Sequence, residues 1–329
     1  MDPYLYDATR DSAAFGSLPD GRLLAGIAGH SLSFDHFGPP SAAEIAAGNN
    51  THGETPTLKW DVSISEKESV PIADCRVLLP EARIQFSRKL SIDLDAPVVY
   101  FEESATNLMS FDRPISWNQH VTFGPPFLEC GATMFDMPAV RGKVSSASFS
   151  DRMLLQPDAD FEWPLAPAED GSQRDLRKTP EEICSQYTAQ LLDPRVEFGY
   201  IAASNPRLQL LTLYVFRRAD FPWVGNWQER FARAHAPWNE QAFCRGMEFS
   251  STPFAIPRRD TVSQGPLFDE PTYRWLPAKA TVSLRFMALL FDVPTDFQGV
   301  NQATVARNEV RIVERKTGRT FSSPVRAFL

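Results

Sequence analysis

Three side chains in this chain of 329 residues could act together on one substrate: His52, His120 and Glu248. An imidazole and a carboxylate that face the same molecule can give and take protons, and each contributes about 10²–10⁴-fold in rate when it is positioned well. Two histidines and one carboxylate are also a known set of metal ligands. Because 68 and 128 residues separate the three positions, only folding can assemble the site. Spacing alone leaves proton transfer and metal binding both open.

His120 lies in an aromatic, amide-rich segment, WNQHVTFGPPFL, at residues 117–128. The pattern predicts a short strand that ends at Gly124, Pro125 and Pro126, because proline removes a backbone donor and fixes φ. We therefore expect His120 to lie near a strand end, where clefts form.

His52 follows a predicted short helix. Ser41 and Glu44 have the spacing of a capping box, and Gly48 is placed to stop a helix of about two turns. The loop that follows, residues 49–54, is rich in turn-forming residues, which suits a surface loop that carries function. His30, His36 and His235 have no comparable surroundings, and we interpret them as structural or exposed.

Aromatic and amide residues near these segments suggest a carbohydrate ligand. Sugar rings pack their C–H faces on aromatic rings and leave their hydroxyls to amides and charged groups. The alternative is that the tryptophans fill a large β core. The predicted substrate-binding residues are Trp117, Asn118, Trp223, Asn226, Trp227, Trp238 and Arg245.

Composition and periodicity predict an all-β protein with few short helices. Proline (27 residues) and phenylalanine (24) are both frequent, which suits short strands with irregular turns. Apolar residues alternate over 84–94, with a slip at Arg88 that predicts a turn or bulge. Further strands are predicted at 22–27, 98–101, 208–216 and 282–290, followed by a last hairpin that turns at 316–319. One helix is predicted to begin at Thr179 and end at Asp193. No linker is visible, so residues 1–329 are expected to form a single β-sandwich domain.

Charge and segment composition limit the classes of partner and the cellular location that we expect. The formal charge is −8 and no basic cluster occurs, which argues against nucleic acid. No apolar run reaches the length of a membrane span, and the first residues do not form a signal peptide. Four scattered cysteines without CxxC spacing predict reduced thiols and a cytoplasmic protein. No cofactor is expected. Sandwich edges allow either a monomer or a homodimer.

The order HGE, Trp60, NQHVTFGPPFL and CRGMEFSSTPF resembles the aldose 1-epimerase (galactose mutarotase) superfamily, over roughly residues 20–290. The resemblance implies a β-supersandwich fold and no cofactor. It also implies that the chain begins beyond the family's first strands, or replaces them. The Asp that the family carries between its second His and its Glu has no clear counterpart, because neither Asp193 nor Asp220 matches it well.

The resemblance also implies three roles. His120 would be the general acid toward the ring oxygen, Glu248 would take the proton of the anomeric hydroxyl, and His52 would help to hold the sugar. A carboxylate is a weak base for a hydroxyl, so we expect Glu248 to be buried and to have a raised pKa.

Three alternatives remain open at this stage. The first is a carbohydrate-binding protein that keeps the cleft without turnover. The second is a metal-dependent enzyme that uses His52, His120 and Glu248 as ligands. The third is a phosphosugar epimerase, with Arg245, Arg258 or Arg259 as phosphate contacts.

Overall fold

The computed structural model describes residue 23 and residues 29–67, 69–147, 150–234 and 238–329. These residues form 22 strands and two helices with described ends. The helices are α1 (Ala42–Ala46) and α2 (Arg258–Gln264). The strands are β1 (His30–Phe34), β2 (Asp61–Lys67), β3 (Val70–Leu79), β4 (Ile84–Ile92), β5 (Val98–Asn107), β6 (Arg113–Ile115), β7 (Trp117–Phe123), β8 (Met134–Asp136), β9 (Ala139–Val144), β10 (Asp160–Glu162), β11 (Leu165–Pro167), β12 (Gln173–Asp175), β13 (Cys184–Leu192), β14 (Phe198–Asn205), β15 (Leu210–Arg217), β16 (Trp223–Arg230), β17 (Phe243–Ser250), β18 (Arg274–Leu276), β19 (Thr281–Asp292), β20 (Val300–Ala306), β21 (Glu309–Glu314) and β22 (Thr320–Pro324).

Two large antiparallel sheets carry the architecture. The first has nine strands in the order β1-β7-β17-β16-β13-β9-β10-β11-β12. The second has eight strands in the order β2-β3-β4-β5-β19-β15-β14-β8. A two-stranded sheet pairs β18 with β6, and a three-stranded sheet joins β20, β21 and β22. Neighbours in the large sheets are often far apart in sequence, so the fold depends on long-range pairing.

The two large sheets pack face to face around an aromatic core. Phe34 and Trp117 of the first sheet belong to one buried cluster with Phe86 of the second. Across the same interface, Phe216 and Phe249 stack with ring centroids 4.4 Å apart. Apolar side chains meet there because successive residues of a strand point to opposite faces.

The second sheet is covered on its outer face as well. Val98 and Leu213 of that sheet share a second buried cluster with Val310 and Ile312 of β21. The three-stranded sheet therefore forms a third layer at this position. The outer face of the first sheet, by contrast, carries a smaller aromatic cluster, and the site described below lies against it.

The fold confirms most of the predicted elements. The capping box is present, with Glu44 N bonded to the Ser41 hydroxyl, and Gly48 follows the helix with a φ of 92°. β7 occupies the predicted segment and ends before the cis peptide between Pro125 and Pro126. The strands predicted at 98–101, 208–216 and 282–290 correspond to β5, β15 and β19, and the last hairpin is β21–β22. The strand predicted at 22–27 lies outside the described residues, apart from Leu23.

Two local predictions were wrong. The helix predicted from Thr179 to Asp193 is replaced by β13, whose nine residues are all buried. Ile183, Tyr187 and Leu191 are spaced by four, which is a multiple of two and therefore also places them on one face of a strand. No bulge occurs at Arg88 either. β4 is continuous, and Arg88 occupies an inward position because it pairs with the buried Glu103.

Within the described ranges, no helix is long and apolar enough to cross a bilayer.

Candidate functional site

Adjacent strands β7 and β17 bring the predicted acid and base together. Their register pairs His120 directly with Glu248. His120 is the central residue of β7, so the expectation that it lies near a strand end was wrong. His120 Nε2 lies 3.2 Å from Glu248 Oε1. Asn118 Nδ2 donates to the other carboxylate oxygen at 3.2 Å, and the Thr122 hydroxyl lies 3.0 Å from His120 Nδ1. Asn118, His120 and Thr122 alternate along β7, so all three are on the outer face while Trp117 points into the core.

The loop after α1 places His52 beside this pair. The His52 and His120 ring centroids are 6.2 Å apart. His52 has a φ of 60° and Gly53 a φ of 77°. A Cβ at Gly53 would lie 2.2 Å from the Phe34 carbonyl oxygen, so the turn requires glycine there. This close approach fixes the loop against the end of β1.

Burial keeps His52 neutral. Desolvation, followed by the neighbouring His120, lowers the pKa of His52 to about 3. The Gly38 amide donates to His52 Nδ1 at 3.3 Å. The proton of the neutral ring therefore lies on Nε2, and His52 can act as a hydrogen-bond donor to a ligand.

Glu248 has the raised pKa expected of a working base. Burial raises its pKa, while His120 and the hydrogen bond from Asn118 oppose the shift. The carboxylate side chain is only 2% exposed, so water contributes little to stabilising its charge. The direction expected from the sequence is confirmed.

The three residues line a cavity of about 240 Å³. Aromatic rings form much of its wall. The Trp227 ring centroid is 5.8 Å from that of His120, and Trp238 lies edge-on to Trp227 at 5.7 Å. The Arg233 guanidinium carbon lies 4.5 Å from the Trp238 ring centroid. The described lining is Leu23, Phe37, Gly38, Pro39, Thr51, His52, His120, Tyr187, Trp227, Arg233, Trp238, Glu248 and Ala255.

Gly246 makes room for the acid–base pair. It lies on the same face of β17 as Glu248, two positions earlier in the strand. A Cβ there would lie 3.0 Å from Glu248 Oε1, 3.2 Å from the Trp227 ring and 3.4 Å from the His120 ring. A larger residue would therefore force Glu248 and the Trp227 ring to shift by a few tenths of an ångström, while the His120 ring would be in ordinary van der Waals contact.

Several of these residues were missed in the sequence. Tyr187 was assigned to a helix, yet its hydroxyl donates to the Pro253 carbonyl and its ring lines the cavity. Phe37, Arg233 and Gly246 carried no signal of their own. A signal for Tyr187 was present in the sequence. If residues 184–192 are interpreted as an alternating strand instead of a helix, Tyr187 and Ala189 lie on the same strand face.

The predicted substrate-binding residues divide by strand face. Trp227 and Trp238 line the cavity, and Asn118 contacts Glu248. Trp117, Asn226 and Arg245 take the opposite face of the sheet, so their predicted sugar contacts are corrected. Arg245, for example, donates to the carbonyls of Leu176 and Lys178.

Trp223 is on the site face but is covered. It is fully buried, and its Nε1 donates to the Pro271 carbonyl. It packs against Phe268 at a centroid distance of 6.4 Å, so it does not reach the cavity. Its predicted sugar contact is corrected as well.

The remaining predicted residues lie elsewhere. Arg258 is bound to Asp35, and the Arg259 amide donates to Glu44, so neither arginine lines the cavity. Asp193 pairs with Arg195. Asp220, the other residue weighed as a counterpart of the family's Asp, pairs with Arg274.

The other histidines are structural where they are described. His30 is enclosed by aromatic rings, including Phe101 and Tyr214, and its Nε2 lies 2.9 Å from Gln119 Oε1. His36 is fully buried. His235 lies outside the described residues.

A buried polar network holds β7 from behind the site. Glu103, which is fully buried on β5, accepts hydrogen bonds from Trp117 Nε1 and Gln119 Nε2, both at 2.7 Å. Its other oxygen pairs with Arg88. Arg88 also donates to Gln119 at 2.9 Å. These bonds fix the inner side chains of the strand whose outer side chains form the site.

The metal alternative finds no ligand set in the described part of the chain. No group of three or more His, Cys, Asp and Glu side chains is arranged there to hold an ion. His52, His120 and Glu248 do share one cavity, but the Gly38 amide and the Thr122 hydroxyl already engage one nitrogen of each imidazole.

Comparison with known proteins identifies the fold. No protein-family model and no curated protein matches the chain. Solved structures do match, beginning with a candidate aldose 1-epimerase from Klebsiella pneumoniae (TM-score 0.63, 13% identity, 90% of this chain and 69% of that one). A galactose mutarotase-like protein from Clostridium acetobutylicum matches with a TM-score of 0.56 at 14% identity, over 84% of this chain and 83% of that one. A candidate aldose 1-epimerase from Escherichia coli matches with a TM-score of 0.54 at 12% identity, over 83% and 86%.

The chain therefore has the galactose mutarotase-like all-β fold, and the resemblance noted in the sequence is confirmed at the level of fold. At 12–14% identity these neighbours establish architecture alone. Activity has to be argued from the site.

Proposed function

We propose that this protein is an aldose 1-epimerase-like enzyme, which interconverts the anomers of a sugar by acid–base ring opening and closure. The observation that carries the proposal is the pairing of His120 with Glu248 at 3.2 Å inside an aromatic-walled cavity. The anomeric hydroxyl and the ring oxygen are bonded to the same carbon. An acid and a base that lie side by side, as these two residues do, can therefore serve both oxygens of one sugar.

The reaction balances with two protein groups. The Glu248 carboxylate takes the proton of the anomeric hydroxyl, the bond from C1 to the ring oxygen breaks, and His120 gives a proton to the ring oxygen. Rotation about the C1–C2 bond then presents the other face of the aldehyde. Closure returns the proton from Glu248 to the new anomeric oxygen and the ring-oxygen proton to His120, so no proton is gained or lost.

The surroundings support these roles. The raised pKa of Glu248 makes the carboxylate a stronger base than an exposed one. Neutral His52 can donate from Nε2 to a sugar oxygen without competing for the proton in transfer. Trp227 and Trp238 offer rings for the C–H face of a sugar.

Cavity size favours a single sugar unit. A volume of about 240 Å³ lies just below the roughly 300–1,000 Å³ usual for drug-sized ligands. We accordingly propose a small-molecule carbohydrate as the partner. The four free cysteines are compatible with the cytoplasmic location that we also propose.

The test is NMR exchange between anomer signals over a panel of free and phosphorylated aldoses. We expect the wild type to accelerate exchange for at least one sugar, and Glu248→Gln to lower the rate by about 10²–10⁴-fold. Glu162→Gln, an exposed position on β10 away from the cavity, is the matched control and should leave the rate unchanged.

The alternative of a carbohydrate-binding protein gives a different result. Line broadening of a sugar without accelerated exchange, and with equal affinity in Glu248→Gln, would replace catalysis by binding. If no sugar of the panel shows line broadening or accelerated exchange, neither the enzyme nor the binding protein is supported.

A further inference from the structure

Strand β2 is an unusually open edge. It ends the eight-stranded sheet, and no described strand pairs with its other side. All seven of its residues are exposed. Val62 is 59% and Ile64 78% exposed. An exposed edge strand with aliphatic side chains is a template for pairing with another strand.

Strand pairing fixes which backbone groups of β2 face outward. Hydrogen-bonded pairs alternate with non-bonded ones along an antiparallel ladder. Just beyond the two ends of β4, Leu108 N donates to Arg83 O and Asp93 N donates to Val98 O, so the odd positions of β4 bond to β5 and its even positions bond to β3. The even positions of β4 pair with odd positions of β3, which leaves the even positions of β3 to bond to β2. The odd positions of β2 therefore bond to β3. The N–H and C=O groups of Val62, Ile64 and Glu66 point to the open edge.

The side chains of β2 are complementary to themselves. When the strand is laid antiparallel to a second copy of itself about Ile64, all seven residues find a partner. Asp61 then faces Lys67 of the second copy at both ends, and Ile64 faces its own equivalent at the centre. Between them Ser63 faces Ser65, and Val62 faces Glu66. Ile64 is an outward-bonding position, so a hydrogen-bonded pair at the two-fold axis is geometrically allowed.

The neighbouring registers are poorer. Centring the pair on Ser63 or Ser65 shortens the ladder and leaves the two terminal charges without each other. In the Ile64 register, of the exposed aliphatic side chains only the two of Ile64 are directly opposite each other, and Val62 faces Glu66. The Ser63 register would set Val62 against Ile64, so the two Asp61–Lys67 pairs and the longer ladder are what favour the Ile64 register. The sheet face that carries Ile64 continues inward through Ala73 and Leu90, which occupy the same cross-strand row.

We propose that two copies of this chain form a two-fold dimer by antiparallel pairing of β2 about Ile64, which joins their eight-stranded sheets. A closed two-fold contact of this kind is the commonest symmetry of soluble oligomers. The strand belongs to the second sheet and the acid–base site to the first. The dimer is thus independent of the proposed function.

The test is sedimentation of the full chain over a wide concentration range. We expect a concentration-dependent dimer for the wild type and a monomer for Ile64→Lys, since two like charges would then meet at the axis. Ile45→Lys, at a 60% exposed isoleucine on α1, is the control and should still dimerise.

Charge reversal tests the register. Lys67→Asp should weaken the dimer by roughly tenfold or more, because each of two symmetric contacts changes from attraction to repulsion. Adding Asp61→Lys to it should restore much of the affinity. A double variant as weak as the single one would overturn the Ile64 register.

Hydrogen exchange tests the strand itself. On dimerisation the amides of Val62, Ile64 and Glu66 should become protected, while those of Ser63 and Ser65, already bonded to β3, should change little. A wild type that stays monomeric at every concentration, or a dimer that Ile64→Lys leaves intact, would overturn the proposal. So would protection of these three amides in a monomer.

Discussion

Glu248 Oε1 lies 3.2 Å from His120 Nε2, and the two residues face each other across β17 and β7. Both belong to the interior of a nine-stranded sheet, so their separation is set by strand pairing. Rigid elements hold a reactive pair more accurately than loops do. His52, which comes from a loop, is fixed in addition by the close approach of Gly53 to β1.

The proposed anomer exchange should slow at acid pH as Glu248 takes up a proton. Its pKa lies above the ordinary value because of burial, and only the carboxylate form can accept the anomeric proton. Asn118→Ala removes the hydrogen bond that stabilises the charged form, so the acidic limb of the pH–rate profile should move to higher pH. An unchanged limb would mean that another group controls it.

Glu103→Gln should destabilise the fold by about 3–5 kcal/mol, because it leaves the buried charge of Arg88 without its partner. Glu102→Gln, the adjacent residue on the outer face of β5, is the matched control. Glu102 pairs with Arg285 at the surface and should cost no more than about 1 kcal/mol. Chemical denaturation measures both, and equal losses would show that the buried network does not hold the two sheets.

Gly246→Ala should reduce anomer exchange while the protein stays folded. The new methyl group would push on Glu248 and on the Trp227 ring, and small displacements of reacting groups can cost up to about 10²-fold in rate. Gly124→Ala is the control, since a Cβ there has no neighbour nearer than 3.8 Å. Saturation kinetics and circular dichroism together separate a catalytic effect from misfolding.

The buried histidines His30 and His52 should each lower the stability as the pH drops below their ordinary pKa of 6.5. Burial lowers the pKa values of His30 and His52 to about 3, so between these values the unfolded chain binds more protons than the folded one. Each histidine then removes at most about 1.4 kcal/mol per pH unit. Between pH 6.5 and 5, His30→Gln should reduce the slope of the unfolding free energy against pH. The reduction should be at most about 1.4 kcal/mol per pH unit, which corresponds to one proton. An unaltered slope would contradict the assignment, whatever the absolute stability of the variant.

The sequence by itself determined the class of fold and the candidate acid–base group. Period-two alternation and frequent proline report local backbone preference, which survives without knowledge of neighbours. The end of the strand at residues 124–126 was placed correctly on these grounds, whereas His120, which was expected near that end, lies at the centre of β7. His52, His120 and Glu248 could be selected because few residue types move protons near neutral pH.

Only the tertiary structure decided which strand face is the site. Alternation says that Trp117 and Asn118 point in opposite directions, but the packing of the second sheet sends Trp117 to the core and leaves Asn118 with Glu248. The same choice removed Asn226 and Arg245 from the predicted site and added Tyr187.

Long-range strand pairing also decided the conformation of residues 184–192 and the role of Gly246. Residues 184–192 fit a helical spacing when taken alone, yet they form β13 because β9 and β16 supply its hydrogen-bond partners on both sides. Gly246 became significant only when β7 and β16 placed His120 and Trp227 beside it. Cross-strand contacts join residues far apart in the chain, and no local pattern records them.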